Sequence, residues 1–313
     1  MSAETILILD PDAERIARAL VARGLPSQAL MLSTAAPQGA ARDAQICLAR
    51  PDLLAEHADA LPDLRWAQST WAGIRPLLPL LRARPELVVT GVKGIFGSLM
   101  AEYLFGWLAA LERGIPEYPA LQAEKRWQPL PQRRMAGRRM TLLGLGSIGA
   151  HLASVAGSFG ISVTGVSRSG APVAGVDTVL PVTALRAAAR DADYLVSVVP
   201  DTADTRNLID GEVLGALAED AILVNVGRGS VLDEAALIAA LPSRRPRAAV
   251  LDVFREEPLP EGNPLWTTPG VYVTPHVAAT TQADDIAGVF LDNLQRWRAG
   301  EPLGAVVEAQ REY

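Results

Sequence analysis

The stretch "RMTLLGLGSIGAHLASVAGSFG" at residues 139–160 decides the predicted fold. A strand-like apolar segment leads into a glycine-rich turn, "GLGSIG", and the residues after the turn can continue as a helix. The turn places Gly144, Gly146 and Gly149 in the spacing G-x-G-x-x-G, which carries weight here because of that strand and helix. The first glycine permits the tight bend, the second admits a pyrophosphate, and the third allows close packing. The stretch therefore predicts a dinucleotide-binding domain.

The first turn of the predicted helix offers contacts for such a ligand. The N–H groups of Ser147 and Ile148 have no partner inside the helix and lie at the positive end of its dipole. The diphosphate of a dinucleotide is an anion, so we expect it to bind there. The alternative is a glycine turn with a purely structural role.

Strand-like runs recur through the rest of the chain. They include "ETILILDP" and "ELVVTGV" before the glycine turn, and "SVTGVS", "YLVSVVP", "AILVNVG", "AAVLDV" and "VYVTPH" after it. Short apolar runs that alternate with helices indicate a parallel sheet covered on both faces. A chain of 313 residues is long enough for about two domains. We therefore predict an α/β protein with two Rossmann-like domains, each built on a parallel sheet.

The nucleotide-binding domain is predicted to be a continuous insertion into the other domain. Residues 1–98 and 282–313 would form a flavodoxin-like substrate domain, and residues 99–281 would form the dinucleotide-binding domain. Two long helices border the insertion in the sequence. "SLMAEYLFGWLAALER" from Ser98 is apolar nearly all round and predicts a buried helix. "TTQADDIAGVFLDNLQRWRAG" predicts the second, with a capping box that begins at Thr281 and a C-terminal cap at Gly300.

The composition argues against several classes of function. The net charge is −6 and the chain has no long run of Lys or Arg, so we expect neither a nucleic-acid partner nor an anionic membrane surface. Residues 140–167 carry no charge, but two strand-like runs around a glycine turn are not a membrane span. Cys47 is the only cysteine, and its apolar surroundings predict a core residue. With no signal peptide recognisable, we expect a cytoplasmic protein.

Arg168 indicates which dinucleotide is preferred. It falls 19 residues after Gly149, at the end of the second predicted strand, where related folds place an acid that binds the adenosine ribose. An arginine cannot accept those hydrogen bonds, but its guanidinium can bind a 2′-phosphate. The flanking Ser167 and Ser169 could add hydroxyl donors. We therefore predict that NADP(H) is preferred and NAD(H) binds more weakly; the alternative is a solvated surface arginine.

Three charged side chains lie near the ends of later strands. Arg228 sits in the glycine-flanked turn of "VNVGRGS", Glu257 follows the strand in "LDVFREEPLP", and His276 ends "VYVTPH". Each could be a surface charge when taken alone. Together they meet the needs of 2-keto-acid reduction: an arginine for carboxylate and keto oxygen, a histidine proton donor, and a carboxylate that holds the histidine protonated. The histidines are scattered and no carboxylates complete a ligand set, so we predict no metal site.

These motifs resemble those of the D-isomer-specific 2-hydroxyacid dehydrogenase family. The resemblance rests on "GLGSIG", "VNVGRGSVLDEAAL", "LDVFREEPLP" and "TPHVAATT" and runs nearly end to end. With "RWQPLP" and "NPLW", the chain is similar in particular to the short bacterial glyoxylate/hydroxypyruvate reductases. The resemblance implies that Arg228 orients the substrate, Glu257 is the acid paired with histidine, and His276 is the general acid/base.

The resemblance also implies roles for residues around the cofactor and the substrate. Asp252 would hold the nicotinamide carboxamide, Val226 would offer a main-chain contact, and Pro200 and Thr205 would line the cofactor path. The substrate loop matches "STWAGIRPLLP", in which the amides of Ala72 and Gly73 would meet the substrate carboxylate. This loop departs from the family pattern because Trp71 and Arg75 stand where smaller or acidic residues are frequent. Trp71 is expected to contact substrate, with core packing as the alternative.

The resemblance further implies a homodimer and a reaction. The long helix and the arm that follows it, residues 99–135, would form the dimer contact, and Trp127 in that arm could reach toward a pocket. The expected reaction is NADPH-dependent reduction of glyoxylate and hydroxypyruvate. Two alternatives stay open: a formate- or phosphite-type dehydrogenase of the same fold, and a non-catalytic dinucleotide sensor related to transcriptional corepressors.

Overall fold

The computed structural model describes residues 5–308, which divide into two compact units. The first unit consists of the described residues before Phe96 together with those from Thr281 onward. The second unit is the continuous stretch Phe96–Thr280.

The first unit is built on five parallel strands in the order β2-β1-β3-β4-β5. This is the strand order of flavodoxin-like folds, in which the carboxyl ends of the strands bind ligands. The strand interiors are apolar, and Cys47 is buried in β3 as predicted. The elements are β1 (Ile6–Leu9), α1 (Ala13–Ala22), β2 (Leu30–Ser33), β3 (Ile46–Ala49), α2 (Pro51–His57), β4 (Trp66–Ser69), α3 (Leu78–Ala83) and β5 (Val88–Thr90).

The second unit is built on seven parallel strands in the order β12-β11-β10-β9-β6-β7-β8. The order reverses between β6 and β9, which is the position where Rossmann-type sheets bind dinucleotides. The elements are α4 (Phe96–Glu112), α5 (Tyr118–Ala123), β6 (Arg139–Leu143), α6 (Ser147–Ser158), β7 (Ser162–Ser167), β8 (Thr178–Pro181), α7 (Leu185–Ala189), β9 (Tyr194–Ser197), α8 (Gly211–Ala216), β10 (Ile222–Asn225), α9 (Glu234–Ala240), β11 (Ala248–Leu251) and β12 (Val271–Val273).

The quoted strand-like runs are confirmed as strands, but β2, β3 and β4 of the first unit and β8 of the second were not among them. None of the four residues of β8 is buried, and it ends at Pro181. It is an edge strand without the buried apolar residues of the central strands β9, β10 and β11. The fold class, two α/β units with parallel sheets, is confirmed.

The helix α4 is confirmed and packs closely on α6. Its buried residues include Leu104 and Leu108, which join one core cluster with Leu152 of α6. A Cβ atom added to Gly97 would lie 2.8 Å from the His151 Cγ, so the absence of a side chain at Gly97 permits the close approach. The buried residues of α4 recur at helical spacing on one face, so the helix is buried on that side only. Its sequence shows little amphipathic periodicity because half-buried positions such as Trp107 are apolar as well.

The last helix, α10 (Ala283–Ala299), ends as predicted but begins differently. Gly300 adopts a left-handed conformation (φ 68°) at the C-terminal cap, which glycine does at little cost. The predicted capping box at Thr281 is wrong. Gln282 is extended at the N-cap, so the helix starts at Ala283 and Thr281 lies outside the cap. Within residues 5–308, none of the helices has the length and apolar character that crossing a membrane requires.

Candidate active site

The glycine turn joins β6 to α6 in the second unit. Gly144 has a φ of 103°, which favours glycine, and its N–H donates to Val166 O of β7 (2.9 Å). A Cβ atom at Gly149 would lie 2.0 Å from the Gly144 carbonyl oxygen, so only glycine lets helix and turn pack this closely. Gly146 is exposed, and a Cβ atom there would meet no protein atom within 4 Å. The turn thus has the tight inner packing and open outer face that a pyrophosphate site needs.

The N-terminus of α6 fits a bound anion. Gly146 is the N-cap, so no side-chain oxygen caps the first N–H groups, and the first turn contains no acidic residue. Ser147 is exposed and Ile148 half-buried beside it. Free amides and an uncompensated helix dipole bind phosphate groups. These features fit the diphosphate of a dinucleotide.

Arg168 lies just beyond β7, the strand next to β6 in the sheet. It is exposed, and Ser169 beside it is also exposed. The Ser167 hydroxyl accepts from the Gly170 N–H (3.2 Å), and the Ser169 hydroxyl accepts from the Ala171 N–H (3.2 Å). Each hydroxyl hydrogen can still be donated to a ligand. The three predicted residues therefore lie in one tight turn beside the glycine turn.

Arg228 is presented by a turn with no room for neighbouring side chains. A Cβ atom at Gly229 would lie 1.9 Å from the Phe254 carbonyl carbon, and one at Gly227 would lie 2.7 Å from Val199 O. The buried Asn225 side chain closes the turn by donating to Arg228 O (3.0 Å) and accepting from the Gly227 N–H (3.3 Å). The backbone under Arg228 is therefore held in place by packing and by hydrogen bonds.

The guanidinium of Arg228 is largely desolvated. Its Nη1 donates to the Gly227 carbonyl (2.6 Å). Burial lowers the pKa of Arg228 from its ordinary value, and the negative charges of Glu257 and Asp201 act against that shift. An arginine nevertheless stays protonated at physiological pH. A desolvated cation interacts strongly with an anionic ligand, since water does not screen the pair.

Glu257 and His276 form the predicted pair. Glu257 Oε2 lies 2.8 Å from His276 Nδ1, and Glu257 Oε1 accepts from the Phe254 N–H (2.8 Å). With Nδ1–H donating to the carboxylate, Nε2 is the histidine nitrogen available for proton exchange. The His276 side chain is about half exposed, so a ligand can approach it and exchange a proton with Nε2.

The environment keeps Glu257 ionised. Partial burial alone would raise the pKa of Glu257, but the hydrogen bonds from His276 and the Phe254 N–H, with the charges of His276 and Arg228, lower it below its ordinary value. The carboxylate can therefore stabilise an imidazolium at His276. The structure thus brings Arg228, Glu257 and His276 to the carboxyl edge of one sheet.

Asp252 is buried at the end of β11 and supports the loop that carries His276. Its Oδ1 accepts from the Thr274 hydroxyl (2.6 Å) and the Val277 N–H (2.9 Å), and its Oδ2 accepts from the Ala278 N–H (2.9 Å). Oδ2 retains one lone pair for a ligand amide. The sequence reasoning predicted the ligand role and missed the structural one.

The remaining predicted cofactor residues follow β9 and β10. The Thr205 hydroxyl donates to Pro200 O (2.7 Å) and accepts from the Thr202 N–H (2.8 Å), which closes the loop after β9. Val226 is buried, and its N–H donates to Ser197 O (3.1 Å). The loop after β9 and Val226 after β10 lie at the same carboxyl edge of the sheet as the glycine turn.

The loop 71–73 belongs to the first unit and follows β4. Trp71 is exposed, so the alternative of core packing is wrong. The Arg50 guanidinium lies over its indole ring, 5.3 Å from the centroid, and Arg50 also donates to Asp52 through two hydrogen bonds (2.7 and 2.9 Å). Ala72 is exposed and Gly73 half-buried beside it. The loop therefore has exposed backbone and a fixed aromatic ring.

Comparison with known proteins assigns the family. The family model described as "D-isomer specific 2-hydroxyacid dehydrogenase, NAD binding domain" matches residues 105–278. The chain belongs to this family. A glyoxylate/hydroxypyruvate reductase A of Salmonella heidelberg is 32% identical over 248 residues, which cover 77% of this chain and 80% of that protein.

Two solved structures are similar over almost their full length. A D-isomer specific 2-hydroxyacid dehydrogenase family protein from Aeromonas salmonicida is 39% identical, with a TM-score of 0.90 over 98% of this chain and 100% of that one. An NADPH-dependent glyoxylate/hydroxypyruvate reductase from Sinorhizobium meliloti, in complex with NADP and sulfate, is 27% identical, with a TM-score of 0.82 over 99% and 100%. The protein is therefore an NAD(P)-dependent oxidoreductase, a 2-hydroxyacid dehydrogenase.

Two residues that the sequence analysis missed, Asn225 and Asp201, support the turn and the charge of Arg228. Asn225 closes the Arg228 turn, and Asp201 contributes negative charge near Arg228 while accepting from the Ser230 hydroxyl (2.7 Å). Asn225 directly follows a buried strand, and a buried amide at a strand end is a usable signal. Asp201 gave no comparable signal. Among the described residues, no group of His, Cys, Asp and Glu is arranged to hold a metal ion.

Proposed function

We propose that this dehydrogenase reduces small 2-keto acids, glyoxylate and hydroxypyruvate foremost, to 2-hydroxy acids with NADPH. The observation that carries the proposal is the joint placement of Arg228, Glu257 and His276 at the carboxyl edge of one parallel sheet. The names of the Salmonella and Sinorhizobium relatives support the same substrates.

Each of the three side chains has one task in the proposed reaction. Arg228 binds the carboxylate and keto oxygen of the substrate, which fixes the orientation of the keto carbon. His276 donates a proton from Nε2 to that oxygen, and Glu257 stabilises the imidazolium that donates it. A bound nicotinamide cofactor supplies the hydride. In the first unit, Trp71 and the amides of Ala72 and Gly73 are proposed to contact the substrate.

The proposed preference for NADPH rests on Arg168 with Ser167 and Ser169. Their turn offers a guanidinium and two hydroxyl groups beside the glycine turn. The Sinorhizobium structure contains NADP, which supports the same cofactor class here. Asp252, Val226, Pro200 and Thr205 are proposed to line the nicotinamide end and the cofactor path.

The test is a substrate panel measured with both cofactors. Glyoxylate, hydroxypyruvate and larger 2-keto acids, with formate and phosphite in the oxidative direction, are assayed with NADPH and NADH. We expect the highest kcat/KM for a small 2-keto acid with NADPH, and its loss in His276→Ala. Oxidation of formate or phosphite alone would replace the proposed substrate class. No turnover of any substrate would favour the dinucleotide-sensor alternative.

A homodimer and a cytoplasmic location complete the proposal. The arm after α4 contains Ile115 and Trp127, both strongly exposed apolar side chains that a second copy could cover. Analytical ultracentrifugation of the wild-type chain and of Trp127→Ser tests the dimer: a wild-type monomer would contradict it.

A further inference from the structure

A chain of two hydroxyl groups runs from α4 to Asp252. The Tyr103 hydroxyl lies 2.6 Å from Thr274 Oγ1, and Thr274 Oγ1 lies 2.6 Å from Asp252 Oδ1. The threonine hydroxyl has one hydrogen, which it donates to the carboxylate. Tyr103 must therefore be the donor in the first contact, so the direction of both hydrogen bonds is determined.

Asp252 also accepts hydrogen bonds from the backbone of His276 and of the two residues that follow it. Its carboxylate accepts from the N–H groups of Val277 and Ala278, and its carbonyl oxygen accepts from the His276 N–H (2.9 Å). His276 has a φ of 54°, a left-handed conformation that is uncommon for residues other than glycine. Such a conformation persists only where surrounding contacts enforce it. The hydrogen bonds of Asp252 are contacts of this kind.

We propose that Tyr103 is a positioning residue for His276, acting through the hydrogen-bond chain Tyr103–Thr274–Asp252. These hydrogen bonds keep the loop 274–278 in the one geometry in which His276 Nδ1 reaches the Glu257 carboxylate. The activity readouts rest on the proposed reduction of 2-keto acids, whereas the hydrogen-bond chain itself does not.

The surroundings of Tyr103 agree with a permanent donor. Its ring packs against Trp107, with centroids 6.4 Å apart, and it is partly buried. Burial, together with the negative charge of Asp252, raises the pKa of Tyr103 to about 12. The hydroxyl therefore keeps its proton through the physiological range. The charged groups near His276 are Glu257, Asp252 and, beside Glu257, Arg228.

The central test compares two tyrosine-to-phenylalanine variants. Tyr103→Phe keeps the ring and removes the donor. Tyr194→Phe is the matched control, because its hydroxyl also donates in the same unit, to Glu112 Oε1 (2.8 Å), far along the chain from the loop. We expect Tyr103→Phe to lower kcat for 2-keto-acid reduction about 5- to 10-fold, as for the loss of one hydrogen bond, with little change in KM. The alkaline limb of its pH profile should also move to lower pH, and Tyr194→Phe should change neither.

Threonine variants test whether the contacts act as a chain. Thr274→Ser retains the hydroxyl and should keep near-wild-type kcat, whereas Thr274→Val should lose at least as much as Tyr103→Phe. If Tyr103 acts through Thr274, the double variant should be no worse than Thr274→Val alone. Additive losses, or a Tyr103→Phe profile equal to that of Tyr194→Phe, would overturn the proposal.

A readout without catalysis separates this inference from the proposed function. The chain has three histidines, so the imidazole signals in a ¹H–¹³C NMR spectrum are few, and His276→Gln assigns the relevant one. In Tyr103→Phe the chemical shift of the His276 signal should move at constant pH, because contact with Glu257 is loosened, whereas Tyr194→Phe should leave it in place. An inactive wild type in which Tyr103→Phe moves the signal would reject the proposed substrates and keep the inference; an unmoved signal would reject the inference.

Discussion

The two edges of the seven-stranded sheet hold charged groups in opposite ways. At the amino edge, Glu112 is buried and accepts from the Tyr194 hydroxyl (2.8 Å) and from Arg247 Nη2 (3.0 Å). At the carboxyl edge, Arg228 is largely desolvated and donates to a backbone carbonyl. At the amino edge Glu112 and Arg247 form an ion pair with each other. At the carboxyl edge Arg228 keeps guanidinium N–H groups that can donate to a ligand. The first arrangement contributes to stability, and the second to binding.

The strongest test of this contrast is Arg228→Ala. We expect kcat/KM for 2-keto-acid reduction to fall about 100- to 10,000-fold, because a charge-assisted contact and the orientation of the substrate are lost together. The melting temperature should stay the same or rise, since an imperfectly compensated buried charge is removed. Steady-state kinetics and calorimetry check both parts.

Arg228→Lys is the control for charge alone. A lysine keeps the positive charge but cannot bind carboxylate and keto oxygen through a planar fork, so most of the loss should persist. A near-wild-type kcat/KM in Arg228→Ala would contradict the role of Arg228. A large fall in its melting temperature would contradict the contrast between the edges.

Arg247→Ala is the opposite case at the amino edge. Its removal leaves Glu112 buried with only part of its hydrogen bonding, so the free energy of unfolding should fall by about 2–4 kcal/mol. The kcat/KM of the folded enzyme should stay close to wild type. Denaturant titration and kinetics at a temperature below the transition measure the two effects. A stable variant with reduced kcat/KM would show that the amino edge also serves the site.

The difference between the edges explains what sequence reasoning could find. Arg228, Glu257 and His276 follow recognisable strands, and parallel strands bring such residues to one edge. The pair Glu112–Arg247 joins positions 135 residues apart. Neither residue lies in a motif, and a charged residue gives no periodic signal of its burial. The Tyr103–Thr274 contact was missed although Thr274 lies in "TPHVAATT", because nothing in the sequence links it to a helix residue 171 positions away.

Glu257→Gln tests whether the carboxyl edge is also a proton-handling site. The uncharged amide stabilises imidazolium less, so the alkaline limb of reductive kcat/KM should move to lower pH. In wild type the lowered pKa of Glu257 means that its contribution is present above the ordinary carboxyl range and is lost only as pH falls through the lowered value. An unchanged alkaline limb, measured with hydride transfer rate-limiting, would show that Glu257 does not stabilise the protonated form of His276.

Arg168→Ala gives the smallest expected effect, because this carboxyl-edge charge is exposed. Loss of the proposed contact to the 2′-phosphate should weaken NADPH binding about tenfold and leave NADH binding unchanged, since NADH has no phosphate there. Adding Ser167→Asp should shift the cofactor preference further from NADPH toward NADH, because an acid repels the 2′-phosphate and accepts hydrogen bonds from the ribose hydroxyls.

The control for this variant is Arg186→Ala, which removes an exposed arginine on α7 that pairs with Glu212. It changes the net charge equally, so any general electrostatic effect on NADPH appears in both variants. The Arg168 effect should shrink as salt rises, because ions screen exposed charge pairs. The dissociation constants of both cofactors at two ionic strengths decide the matter. Equal losses for NADPH and NADH would mean that Arg168 supports the turn rather than the phosphate, and a wild type that prefers NADH would reject the cofactor proposal.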